Sequence, residues 1–91
     1  ETPMSDKKVV MLDMSDVTML DMTASVLLQE MIAHIGRKNV AVIICGLHPR
    51  LMLQLRRTGL RRRRGVLEMK RDIGSGLTRA AVLVQEGLVG K

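Results

Sequence analysis

The chain contains no Phe, Tyr or Trp, which removes the flat side chains on which single-strand nucleic-acid binders stack bases. With 46% of its 91 residues apolar, a core has to be assembled from Leu, Val, Ile and eight Met. Such a core is adaptable, because thioether chains are unbranched and flexible. One cysteine, Cys45, excludes an internal disulfide. Ile43 and Ile44 before it point to a small buried hydrophobe, and a reducing, cytosolic setting is expected. No apolar run nears the roughly 18 residues that span a bilayer, and no charged-then-apolar leader opens the chain, so a soluble piece is expected. It starts at Glu1, not Met, as an excerpt of something longer would.

The net charge of +6 is divided unevenly. Residues 1–36 set Lys7 and Lys8 against six carboxylates, whereas residues 37–91 set thirteen Lys or Arg against Glu68, Asp72 and Glu86. Polarity of this kind concerns partners more than fold.

Ninety-one residues allow one domain, taken as 1–91, with a modest core. Val9 to Leu12 is a continuous apolar run closed by Asp13, which suits a strand buried on both faces. Met14 to Asp16 reads as a turn, and Val17 to Leu20 as a second brief extended piece. The period then changes. Ala24, Leu27, Leu28, Met31, Ile32 and Ile35 share one helical face, and Gly36 ends that helix. Val40 to Ile44 predicts a second buried strand. Pro49 opens a short helix with Leu51, Met52 and Leu55 inside, and Gly59 closes it. Val66 to Met69 is a third strand, interrupted by Glu68. A last helix places Ile73, Leu77, Ala80, Ala81, Val84 and Leu88 inward, capped by Asp72 or Ser75, with Gly74 and Gly76 loosening its first turn.

Strand, helix, strand, helix, strand, helix is the order of an α/β fold with a mostly parallel sheet. Ligands and partners gather at the carboxyl ends of such strands. Those ends carry Asp13, Asp21 and the Cys45-Gly46 turn. Asp21, Thr23 and Ser25 also stand at a helix N-terminus, where unpaired N–H groups and the positive dipole end favour capping oxygens and anions. A phosphate added there is locally favoured. The plain alternative is capping by Asp21 or Thr23.

No Ser-His-Asp order, metal-ligand spacing or phosphate-cradling Gly loop is present, and Gly74-Ser75-Gly76 is too short and lacks a following Lys-Ser/Thr. His34 falls off the apolar stripe, His48 precedes a helix start, and Cys45 has no evident activator. A non-enzymatic domain without cofactor or metal is expected.

The stretches VVMLDMSDVTMLDMTASVLL and NVAVIICGLHPRLMLQLRRTGL resemble the STAS domain, the module shared by SulP-family sulfate transporters and bacterial anti-sigma factor antagonists. The resemblance runs over roughly residues 8 to 87. It is most specific at Asp21, Thr23 and Ala24, and at Gly46, Pro49, Arg50, Leu55 and Thr58-Gly59-Leu60. It puts Thr23 where the antagonists carry a phosphorylated Ser, Ala24 where a Gly is usual, and Met22 where a small residue is usual. Asp21, Thr23 and Ser25 are therefore the candidates for phosphorylation or partner docking. STAS domains commonly open with a β-hairpin, rich in aromatics in SulP members, that Glu1 to Asp6 cannot supply. Gly46-Leu47-His48-Pro49-Arg50, with Arg56, Arg57 and Gly59, is most similar to the SulP branch. That branch implies a regulatory domain at the cytoplasmic face of the inner membrane, with the transporter's transmembrane part or a regulatory protein as partner. The alternative it implies is a stand-alone antagonist in a phosphorylation-controlled partner switch. Weak nucleotide binding at the strand ends is a minor implication.

Arg56, Arg57, Arg61, Arg62, Arg63 and Arg64 place six guanidinium groups in nine residues. They read as a solvated connector or as a contact for anionic lipid headgroups or an acidic partner. Nucleic acid ranks last, because no binding motif or stacking residue accompanies the charge.

Overall fold

The computed structural model describes residues 8–89. Three strands, β1 (Lys8–Asp13), β2 (Val40–Cys45) and β3 (Leu67–Lys70), alternate with three helices, α1 (Met22–Gly36), α2 (Pro49–Arg57) and α3 (Ile73–Val89). The strands form one parallel sheet in the order β1-β2-β3, with Val10 opposite Val42 and Ile44 opposite Met69. This is the α/β architecture expected from the sequence. Residues 1–7, including the Glu1 to Asp6 stretch where no hairpin is expected, lie outside the described residues.

The middle strand explains the layering. β2 has a neighbour on each edge and helices on both faces, so Ala41 to Cys45 are all buried. Alternate residues point to opposite sides. Val42 and Ile44 join Ile32 of α1 and Leu51 and Leu55 of α2 on one side. Ala41, Ile43 and Cys45 join Leu83 of α3 on the other.

Several expectations are corrected in detail. Val17 to Leu20 is not a strand: Val17 and Leu20 tuck against the α1/α2 side of the core while Met19 is 81% exposed. α1 does end at Gly36 as expected, and the left-handed residue of the turn that follows is Asn39, with a φ of 59°. Gly59 closes α2 as expected, with a φ of 117°.

The third strand runs one residue later than its apolar letters suggested, because Val66 still belongs to the turn, its N–H donating to the Arg63 carbonyl at 2.9 Å, and Glu68 lies inside the strand. Its carboxylate accepts from Arg79 Nε at 2.7 Å and Nη2 at 2.9 Å, and from the Gly65 N–H at 2.8 Å. That fork ties β3 to α3 and to the turn before β3.

α3 is rotated from the expected face. Leu77 and Val84 are exposed, while Gly76 and Leu83 are buried. Gly76 sets the phase: a Cβ there would collide with the Cys45 sulfur and come within 3.0 Å of Met11 Cε. Asp72, not Ser75, caps this helix, accepting from the Ser75 N–H at 2.8 Å. Leu88 lies outside the described side chains.

Two predictions follow from these contacts. Gly76→Ala raises helix propensity by about 1 kcal/mol, yet overpacking costs about 1–3 kcal/mol, so denaturant unfolding is expected to show a net loss. Cys45→Ala in the same chain should recover part of it, giving a favourable coupling in a double-mutant cycle. The second concerns acid. Arg79 holds the Glu68 carboxyl below its ordinary range, with the Gly65 N–H contributing and burial opposing. A lowered folded value stabilises above the unfolded pKa of about 4.3 and is lost as pH falls through the folded one. The stability gap between the wild type and Glu68→Gln should therefore be steady above about pH 5 and close below about pH 4.

Candidate functional site

The N-terminus of α1 is built by Asp21. Its extended backbone lets its carboxylate accept from the Ala24 N–H at 2.7 Å, and its carbonyl accepts from the Ser25 N–H at 2.9 Å. The capping reading therefore belongs to Asp21. Thr23, at the second helical position, is exposed. A phosphate on it would lie against the positive end of a fifteen-residue helix with no acidic side chain in its first turn.

Ser25 is separated from these two. It is 0% exposed, and its hydroxyl accepts from Gln54 Nε2 at 3.0 Å. The same amide nitrogen donates to the Leu20 carbonyl at 2.6 Å. Ser25 thus joins α1 to α2 and takes no place on the surface with Asp21 and Thr23.

The outer side of α1 is the unexpected part. Ile32 is buried and Leu28 and Ile35 pack against the core, whereas Met22, Val26, Leu27 and Met31 face solvent, with Met22 at 67% and Leu27 at 59%. Positions three and four apart are neighbours on a helix, so Val26 and Leu27 flank Thr23, and Met31 lies one turn beyond Leu27 with the exposed Glu30 beside it. Leu27 and Met31 had been expected inside. A helix with apolar residues on more than one side has more stripe than one sheet can cover.

The loop before α1 is held from α2. Besides Gln54, Arg50 Nη2 donates to the Thr18 carbonyl at 3.2 Å, and Gln29 of α1 donates to the Thr58 hydroxyl, which in turn donates to the Leu55 carbonyl at 2.8 Å. Sequence reasoning passed over Gln54. Its signal was a lone amide in the Leu51-to-Leu55 run, pointing to a polar partner on the packed side of α2. His48 is also structural, its Nδ1 accepting from the Arg50 N–H at 3.2 Å as the cap of α2.

The arginine run lies at the other end of α2. Arg56, Arg57 and Arg61 to Arg64 are all exposed. Arg61 Nη1 donates to the Arg56 and Leu60 carbonyls at 2.8 and 3.1 Å, covering the end of the helix. Arg63 and Leu67 exchange backbone bonds across a turn with Gly65 at a φ of 75°. These arginines occupy a formed connector, separate from Thr23.

Nothing here is arranged for nucleophilic chemistry at Cys45. Burial pushes its thiol up, and the Asp13 and Asp72 charges add to that, so the reactive thiolate is disfavoured. Among the described residues no three His, Cys, Asp or Glu side chains are grouped to hold a metal.

The model of the STAS domain family matches residues 4–74, from before β1 into the first turn of α3. The chain belongs to the STAS family. STAS domains are in general non-enzymatic regulatory domains that interact with other proteins, some as anti-sigma factor antagonists. No curated protein and no solved structure matches the chain. Within this STAS domain, the capped start of α1 and the apolar surface beside it are the features suited to a protein partner.

Gln54→Leu tests how that surface is held. Loss of the amide leaves the Ser25 hydroxyl and Leu20 carbonyl without their donor, which costs about 1–3 kcal/mol. Chemical denaturation should show that loss. Hydrogen exchange should accelerate in residues 18–24, while the amides of β2 keep their protection relative to global unfolding.

Proposed function

We propose that this STAS domain is a regulatory and protein-docking module of a SulP-type anion transporter, held at the cytoplasmic face of the inner membrane. The observation that carries the docking role is the set of exposed apolar side chains on α1, Met22, Val26, Leu27 and Met31, with an exposed Thr23 flanked by Val26 and Leu27. Solvent-facing apolar side chains grouped on one helix mark interaction sites. Methionine adds adaptability, because its chain can repack against a partner.

The transporter setting is supported by the SulP-like segment Gly46 to Arg50 and by the basic second half of the chain. Anionic headgroups attract such charge at about 1 kcal/mol per basic residue near the surface. On this reading Arg56, Arg57 and Arg61 to Arg64 face lipid headgroups or the transmembrane part, and α1 faces the partner.

A stand-alone anti-sigma factor antagonist is the second reading, favoured by the exposed hydroxyl of Thr23 beside a cap that Asp21 already provides. The two readings differ in what the gene encodes around the domain. Many apolar spans in the same reading frame support the first, and a complete product of about domain size with none contradicts it.

The docking role has its own test. Asp21→Ala should lower stability by about 0.5–2 kcal/mol, whereas Thr23→Ala should stay within about 0.5 kcal/mol and retain the partner. Thr23→Glu should keep the fold and weaken the partner. Thermal melts paired with co-purification from the native cell read both quantities. Equal partner recovery with Thr23→Glu and wild type would contradict the switch.

A further inference from the structure

The carboxyl ends of all three strands meet around a cavity of about 510 Å³, separate from the outer side of α1. Hydrogen bonds across the strands build its floor: Met14 N–H donates to the Cys45 carbonyl and Gly46 N–H to the Lys70 carbonyl, each at 2.9 Å. Gly46 takes a left-handed φ of 74°, and a Cβ on it would come within 2.6 Å of Ser15 Oγ. Only glycine permits the β1 and β2 ends to close together there. The β1–α1 loop forms one wall and is fixed by Arg50 at the Thr18 carbonyl. The cavity is therefore preformed.

Its lining divides chemically. Val17, Met52 and Met69 supply apolar wall, and Arg62, Lys70 and Arg71 supply positive charge. No carboxylate is among the lining residues. Lys70 also lies 3.9 Å from Glu68, whose carboxylate is held more closely by Arg79 at 2.7 Å. The size is that of small-molecule sites, about 300–1,000 Å³, which are mostly apolar with a few charged groups to fix orientation. Strand carboxyl ends are where open α/β sheets place ligands.

We infer that this cavity binds a small diffusible amphipathic anion, an alkyl carboxylate or alkyl phosphate. The head meets Arg62, Lys70 and Arg71, and the chain lies on Val17, Met52 and Met69. A bare inorganic anion would leave the apolar wall against water. A nucleotide would find no aromatic side chain to stack its base. A membrane phospholipid brings two long chains to a cavity with room for one short one. The inference stands independently of the docking role of α1.

Methyl NMR of the methionines reads occupancy directly, because Met52 and Met69 line the cavity whereas Met22 and Met31 lie on the outside of α1. Titration with octanoate and with hexyl phosphate, each below its micelle concentration, is expected to shift Met52 and Met69 saturably and leave Met22 and Met31 in place. Octanol, inorganic sulfate and ADP should bind at least about ten-fold more weakly. Lys70→Gln with Arg71→Gln should weaken octanoate by about ten-fold or more while the unliganded spectrum and the melt stay native. Arg62→Gln, on an exposed connector, provides a second variant expected to weaken binding without touching the sheet. The inference is overturned if octanol binds as well as octanoate, if ADP or sulfate binds better, or if both charge variants bind undiminished. Response only to phosphatidylglycerol vesicles, or shifts confined to Met22 and Met31, would overturn it equally.

Discussion

The burial of β2 from Ala41 to Cys45 is the constraint on which the rest of the structure depends. Five consecutive residues, Ala41 to Cys45, have almost no contact with solvent, so each face of the strand must be covered by a separate helical layer. At about 25 cal/mol per Å², these side chains are the most concentrated source of stabilisation in so small a domain. α1 and α2 cover one face and α3 the other. The strand also sets the position of every loop at its carboxyl end. Met14, Gly46 and Lys70 are bonded across the sheet at that level, which delivers the β1–α1 loop, the start of α2 and the Lys70-Arg71 pair to one end of the molecule.

From that frame the α1 surface follows by exclusion. A flat sheet side can take only part of a helix's circumference, and α1 is apolar over more than that part. Ser25, Leu28, Ile32 and Ile35 turn inward, which forces Met22, Val26, Leu27 and Met31 outward. The polar stitches from Gln54 to Leu20 and Ser25 and from Gln29 to Thr58 hold this rotation. A rotation of one position would carry the Ser25 hydroxyl away from Gln54. The same bonds that stabilise the pair of helices therefore keep the candidate switch residue in solvent, with Asp21 below it as the cap.

The element order was legible because it rests on period and punctuation: two continuous apolar runs for β1 and β2, a 3.6-residue period for α1, Pro49 and Gly59 for the limits of α2. The phase of the helices was less so. α1 offered two apolar stripes and no rule of composition selects between them. α3 was misphased because Gly76 was read through its helix propensity, when its missing side chain is what lets the helix lie on Cys45 and Met11. Glu68 looked like an interruption because its partner, Arg79, is eleven residues away. Of the candidate site, Asp21 and Thr23 stand where capping logic and family resemblance put them. Ser25 does not share their surface, because its separation from Thr23 by two positions turns it to the opposite side of the helix.

Charge is arranged as two cationic regions sharing Arg62. The run from Arg56 to Arg64 covers the end of α2 and the turn into β3, and Lys70 and Arg71 extend the positive surface towards the strand ends. The acidic residues of the first half are engaged differently: Asp13 accepts from the Ser15 backbone and hydroxyl, and Asp21 caps α1. The unequal charge of the two halves thus becomes a basic surface around α2 and β3, distinct from the methionine-rich surface of α1, on which Glu30 is the exposed carboxylate. Photo-cross-linking in living cells tests the central claim, that the exposed apolar side of α1 is where a partner sits, most directly. A photoreactive amino acid at Leu27 is predicted to give a discrete protein adduct, and the same amino acid at Glu86, exposed on α3, is predicted to give none. Equal yields at the two positions, or no adduct at Leu27, would contradict the account.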